Sequence, residues 1–96
     1  MPAYIIFTRT KTIDRGELEK YWSMIKKTMN GHAIEVLVSY GNFDVLEGED
    51  IEGIVVAKFP DMASAKNWYY SDSYKAAAAH RIKGAIYNGV LVEGIF

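Results

Sequence analysis

Ninety-six residues, 50% hydrophobic and 14% aromatic, with a formal net charge of −1 and no cysteine, exclude several classes of protein at once. The near-zero charge offers no electrostatic footprint for nucleic acid or acidic membranes, and the lack of thiols removes disulfides, thiolate nucleophiles and zinc–thiolate sites. A chain this short buries only roughly 60–65% of the surface its unfolded form exposes, so an apolar supply this rich implies that part of it covers a partner subunit.

The length fits one domain, residues 1–96,. No apolar run approaches the roughly 20 residues of a membrane-spanning helix, and the amino terminus lacks the basic start and apolar run of a signal peptide. These features read as a cytoplasmic protein with no membrane and no nucleic-acid partner.

In chain order, residues 3–9 are apolar and β-favouring and predict a first strand,. Asp14 precedes Glu17 at capping-box spacing, and Leu18, Tyr21, Trp22, Ile25 and Met29 then recur at helical spacing until Asn30-Gly31 stops the helix,. Residues 34–40 predict a second strand, with Phe43 to Glu47 as a short extension. The acidic loop 47–53 follows, exposed and poorly suited to a metal because its four carboxylates repel one another,. Residues 54–59 are a third strand, closed by Pro60, which cannot continue a ladder,.

Asp61 caps the next helix, on which Met62, Ala65, Trp68 and Tyr69 share a face,. Ser71 or Asp72 caps a further alanine-rich helix through about Lys83, ended by Gly84, with Tyr74, Ala77, Ala78 and Ile82 inward, His80 outward and Arg81 on the border,. Residues 87–94 give the last strand, in which Gly89 marks a bulge or a close approach,.

The order β-α-β-β-α-β is the α+β ferredoxin-like pattern, an antiparallel sheet with helices on one face. The other face should be polar if it met water. Instead Tyr4 and Ile6 oppose Ile5 and Phe7, and Ile54 and Val56 oppose Val55 and Ala57, so both faces are apolar. A homodimer packed through the open sheet face is the expectation.

Chemistry-bearing residues are few. His32, at a helix-to-strand junction, is the candidate acid or base because imidazole titrates near neutral pH. Arg81 is the candidate anion partner, and Trp68, Tyr69 and Tyr74 are candidate walls for a flat organic ligand. Core packing is the plainer reading of the aromatics. There is no Gly-rich phosphate loop and no His-x-x-x-His or Glu-x-x-His helix motif, and the sequence supports no flavin, haem or metal, so no cofactor is expected,.

Phe59-Pro60, Ala63, Ala65, Trp68-Tyr69, Ser71 and Tyr74 together resemble the domain-of-unknown-function family 1330, whose pattern there is Phe-Pro, an alanine-bearing helix, then Trp-Tyr-x-Ser-x-x-Tyr. The resemblance extends through His32, Val45-Leu46-Glu47-Gly48, Arg81 and Leu91-Val92-Glu93-Gly94, and so spans the whole chain. It departs where the family usually has Gly-Gly after the histidine, here Ala33-Ile34, and Arg-Gly-Gly at the end of the second strand, here Ser39-Tyr40-Gly41. The second departure leaves Arg81 as the better candidate cation. The resemblance implies a dimeric α/β barrel of ferredoxin-like fold. Two functions are open: a cofactor-independent enzyme acting on a small aromatic or carboxylated molecule, or a non-catalytic ligand-binding or stress-associated dimer.

Overall fold

Asp14 and Asp61 start two of the three helices by the same device. In the computed structural model, which describes residues 1–96, Asp14 accepts from the amides of Gly16 and Glu17 at the head of α1 (Arg15–Thr28), and Asp61 accepts from Ser64 N at the head of α2 (Met62–Tyr69). These bonds satisfy donors that a helix start leaves orphaned. They also hold the Asp61 carboxyl below its ordinary pKa, through its hydrogen bonds to Ser64.

The third helix, α3 (Asp72–Gly84), starts at Ser71, whose hydroxyl donates to Trp68 O at 2.7 Å and accepts from Tyr74 N at 3.2 Å. Tyr74 is thereby placed against Trp68, with ring centroids 4.1 Å apart. The Trp-Tyr-x-Ser-x-x-Tyr stretch is therefore a joint, in which one hydroxyl bridges the end of α2 and the start of α3 while two rings lock the angle.

Strands β1 (Ala3–Thr12), β2 (Glu35–Ser39), β3 (Gly53–Phe59) and β4 (Ala85–Glu93) form one antiparallel sheet in the order β2-β3-β1-β4. This is the expected ferredoxin-like architecture, with every helix on one face. Ala3, Ile5 and Phe7 alternate onto that face and are buried with Ala57, Phe59, Leu18, Ala65, Trp68, Tyr74 and Ala77,. No helix is long and apolar enough to cross a membrane.

Several local expectations are corrected. Residues 43–47 add no strand, and β4 starts at Ala85 directly from α3 rather than at residue 87. Of the two alternatives for Gly89 the close approach holds, since a Cβ there would lie 3.0 Å from Phe7 Cε1; the register shifts fall on β1 between Arg9 and Lys11 and on β2 between Val36 and Val38. Ile82 is 66% exposed because α3 turns Tyr74, Ala77, Ala78 and Arg81 inward, the i, i+3, i+4, i+7 face,. His80 does not point freely outward. Its Nδ1 lies 2.6 Å from Glu17 Oε2 across the α1–α3 packing, and because a carboxylate only accepts, Nδ1 carries the proton and donates,.

That contact redirects Glu17 from the backbone arm of a capping box to a neighbouring helix. The His80 hydrogen bond is the main cause holding the Glu17 carboxyl below its ordinary value. A lowered carboxyl pKa stabilises the fold above the unfolded value of 4.5, and this contribution is lost as pH falls through the lower folded value,. Glu17→Gln should therefore be less stable than the native chain at pH 7, and the difference should close in acid. Urea titrations at pH 7 and pH 3 would measure it, and an equal difference at both would contradict the pairing.

Candidate functional site

At one end of the helix-covered face the sheet carries a row of polar and aromatic residues. Alternation along β1 continues Ala3, Ile5, Phe7 to Arg9, which pairs with Gly53 of β3 on one side and Tyr87 of β4 on the other,. Tyr40, just after β2, closes the row. It adopts a left-handed backbone (φ 54°), with its amide bonded to Ile54 O at 2.8 Å. A non-glycine residue in that region is held there by its surroundings. Gly53 makes it possible: a Cβ there would lie 2.5 Å from Tyr40 Cδ1, so the ring occupies space any side chain would fill.

Above the row, α1 contributes Tyr21 and Trp22, and α3 contributes Tyr74 and Arg81. Two phenol pairs cross the space. The hydroxyls of Tyr21 and Tyr74 are 2.9 Å apart, and those of Tyr40 and Tyr87 are 2.6 Å apart, while Trp22 Nε1 donates to Tyr40 Oη at 3.4 Å. Burial is the first cause raising the pKa of Tyr21, Tyr74 and Tyr87. These phenols stay protonated at neutral pH and act as hydrogen-bond donors, not bases. The rings of Phe7, Tyr21, Trp22, Tyr40, Trp68 and Tyr87, with aliphatic neighbours, enclose a cavity of about 100 Å³.

Two guanidinium groups belong to this cluster. Arg9 Cζ lies 5.1 Å from the Tyr40 ring centre and 5.7 Å from that of Trp22; Arg81 Cζ lies 5.0 Å from Phe7 and 5.3 Å from Tyr87. Arg81 is 8% exposed, and its Nε, like Nε and Nη1 of Arg9, is buried without a hydrogen-bond partner. Arg9 is paired with Glu52, whose Oε1 lies 3.4 Å from Arg9 Nε and accepts from the Thr12 hydroxyl at 2.6 Å.

The expected site residues separate. Tyr74 and Arg81 are in the cluster, and Trp68 lines its cavity while donating from Nε1 to Thr28 Oγ1 at 3.1 Å. Tyr69 walls a different cleft of about 380 Å³ between α2 and β4, with Met62, Lys66 and Tyr70. His32 sits in the turn after α1, half-buried, lining neither cavity. The structure does not bring it to Arg81. Arg9 and Tyr40 were missed, although Arg9 was within reach of the β1 alternation.

The Tyr21–Tyr74 pair gives a double-mutant test. Tyr74→Phe leaves the Tyr21 hydroxyl buried without that partner and should cost about 1–3 kcal/mol, whereas adding Tyr21→Phe should cost much less than a second such loss. Urea unfolding of the two single variants and the double variant reads the coupling; strictly additive losses would mean that the hydroxyls act independently.

Comparison with known proteins gives the family and the fold. The profile of a family described as a domain of unknown function, DUF1330, matches residues 2–95. No match was found among curated proteins. A protein of unknown function from Rhodopseudomonas palustris superposes with a TM-score of 0.77 at 15% identity, over 99% of this chain and 83% of that one. A dimeric ferredoxin-like protein of unknown function from Jannaschia sp. CCS1 gives a TM-score of 0.72 at 10% identity, over 98% and 100%. SnoaB, a cofactor-independent oxygenase from Streptomyces nogalater, gives 0.61 at 9% identity, over 97% and 92%. At such identities the likeness is one of fold.

Proposed function

Because the chain belongs to DUF1330, a family whose description assigns no activity, we propose its function from its own site: a homodimer that binds a small planar ligand beneath α1. The observation that carries this reading is the Tyr40 wall. A strained backbone, a glycine opposite and two hydrogen-bond partners hold a phenol where it closes an aromatic cavity that simple core packing would fill,. The cavity, about 100 Å³, is smaller than the roughly 150 Å³ of an apolar cavity that accepts benzene. A single-ring ligand therefore enters as the Tyr40 ring yields. In this reading Trp68 lines the ligand site, Tyr74 and Arg81 back its wall through Tyr21, Phe7 and Tyr87, Tyr69 walls the second cleft, and His32 takes no part in this pocket.

The test uses benzamide, a neutral planar probe, read by the fluorescence of Trp22 and Trp68, which both line the cavity. Saturable change that is weakened at least tenfold by Gly53→Ala and untouched by His32→Ala supports the pocket. A linear, unsaturable response would remove it.

The dimer rests on the open face, where register aligns Ile6 between Val56 and Val90, Val38 beside Val56, and Tyr4 beside Val92. Val90 is 57% exposed and Val92 43%. Contiguous apolar surface of this kind seeks a partner, and the Jannaschia protein of the same fold is dimeric. Sheet-on-sheet pairing would give the barrel form. Val56→Glu should convert a dimer to a monomer in sedimentation, and a native chain of 10.8 kDa at micromolar concentration would contradict the pairing.

A second reading, a cofactor-independent enzyme, draws support from SnoaB alone. Protein-dependent oxygen uptake with resorcinol as probe would favour it; binding without uptake keeps the first.

A further inference from the structure

We propose that the ligand of this pocket is a carboxylate, that Arg9 and Arg81 are its receptors, and that Glu52 is a built-in competitor which the ligand carboxylate replaces on Arg9. The inference rests on the pocket reading above and adds the charge of the ligand.

A guanidinium remains charged at any physiological pH, and burying it without a full set of partners is costly. Stacking on Trp22 and Tyr40, or on Phe7 and Tyr87, uses the faces of the two groups,. Both groups stand behind the rings that line the cavity, beside the hydroxyls of Tyr87 and Tyr74, and Arg9 Nε, Arg9 Nη1 and Arg81 Nε are buried there without a hydrogen-bond partner. Arg81 takes part in no ion pair. Glu52 approaches Arg9 at 3.4 Å without forming an aligned hydrogen bond, is 44% exposed, and is held to one side by Thr12. The cluster thus buries two positive charges against one displaced, half-solvated negative charge.

A planar carboxylate matches the open fork in two parallel bonds. The surrounding phenols, kept protonated by burial, supply further donors and no competing acceptor charge. A ring or short apolar body completes the fit against Tyr87 and Trp22. Glu52 imitates this ligand imperfectly from the β2–β3 loop, so binding exchanges one carboxylate for another and adds no buried charge of its own.

The experiment compares benzoate, ionised at pH 7, with benzamide by tryptophan fluorescence. Benzoate should bind at least tenfold more tightly. Arg9→Gln should cut the ratio of benzoate to benzamide affinity at least fivefold, a ratio in which any loss common to both probes cancels, and Glu52→Gln, in an exposed loop, should tighten benzoate severalfold by removing the competitor. Lys66→Gln, in the other cleft, should change nothing. If benzamide binds and benzoate binds no better, the pocket stands and the carboxylate proposal falls. If neither binds, both fall. If Glu52→Gln weakens benzoate or leaves it unaltered, the competitor role is overturned.

Discussion

Trp68→Ala is expected to cost about 3–5 kcal/mol, the range for removing a large buried aromatic side chain, and to be the most damaging single truncation in the chain. Trp68 is 2% exposed and packs on Tyr74 at 4.1 Å and Phe59 at 5.6 Å, so one side chain joins α2, α3 and β3. Its indole N–H also spans to Thr28 at the end of α1. The collapse that could heal such a void is blocked, because the Ser71 hydroxyl fixes the α2–α3 angle from outside the core,. Against the roughly 5–15 kcal/mol of a typical domain, this loss takes a large share. Guanidinium unfolding at unchanged slope measures it, and a cost below about 1 kcal/mol would mean that the rings are a filled surface rather than the hub.

Gly84→Ala carries a prediction of sign. In an exposed helix interior, Gly to Ala gains about 1 kcal/mol. Here the added Cβ would stand 2.9 Å from Leu18 N and 3.0 Å from Asp14 O, both backbone atoms of the α1 head. Neither can rotate away. Moreover, Gly84 O accepts from the amides of Ile13 and Asp14 at 2.8 and 2.9 Å, so separating the helices breaks these bonds as well. Overpacking of this kind costs about 1–3 kcal/mol, and the net effect should be destabilising. A thermal midpoint at or above the native value would show that α1 and α3 part more easily than these contacts allow.

What was legible in the sequence is what local chemistry dictates. Asp14, Asp61 and Ser71 announce helix starts because a cap needs only an oxygen two or three residues before its amides,. The two-sided apolarity of the strands was legible for the same reason, since alternation is a property of the strand alone, and Val90 and Val92 do stand exposed on the face away from the helices,.

The site is different because it is assembled across the fold. Tyr40 precedes a glycine like any turn residue, and nothing in its neighbours shows that Gly53 lies under its ring. His80 lies outside the buried face by helical geometry, yet its partner Glu17 is 63 residues away. Arg9 was a readable miss. Its place in the alternation after Phe7 put a cation on the buried face, and a buried cation asks for an explanation.

The central claim, that the cluster beneath α1 is where a ligand goes, is tested most directly by NMR of the protein with 13C-labelled tyrosine rings during a benzoate titration. The seven tyrosines report both cavities at once. Saturable shifts at Tyr21, Tyr40 and Tyr87, with Tyr69 and Tyr70 unmoved, are the predicted result. Shifts confined to Tyr69 and Tyr70 would place the ligand in the α2–β4 cleft and contradict the account.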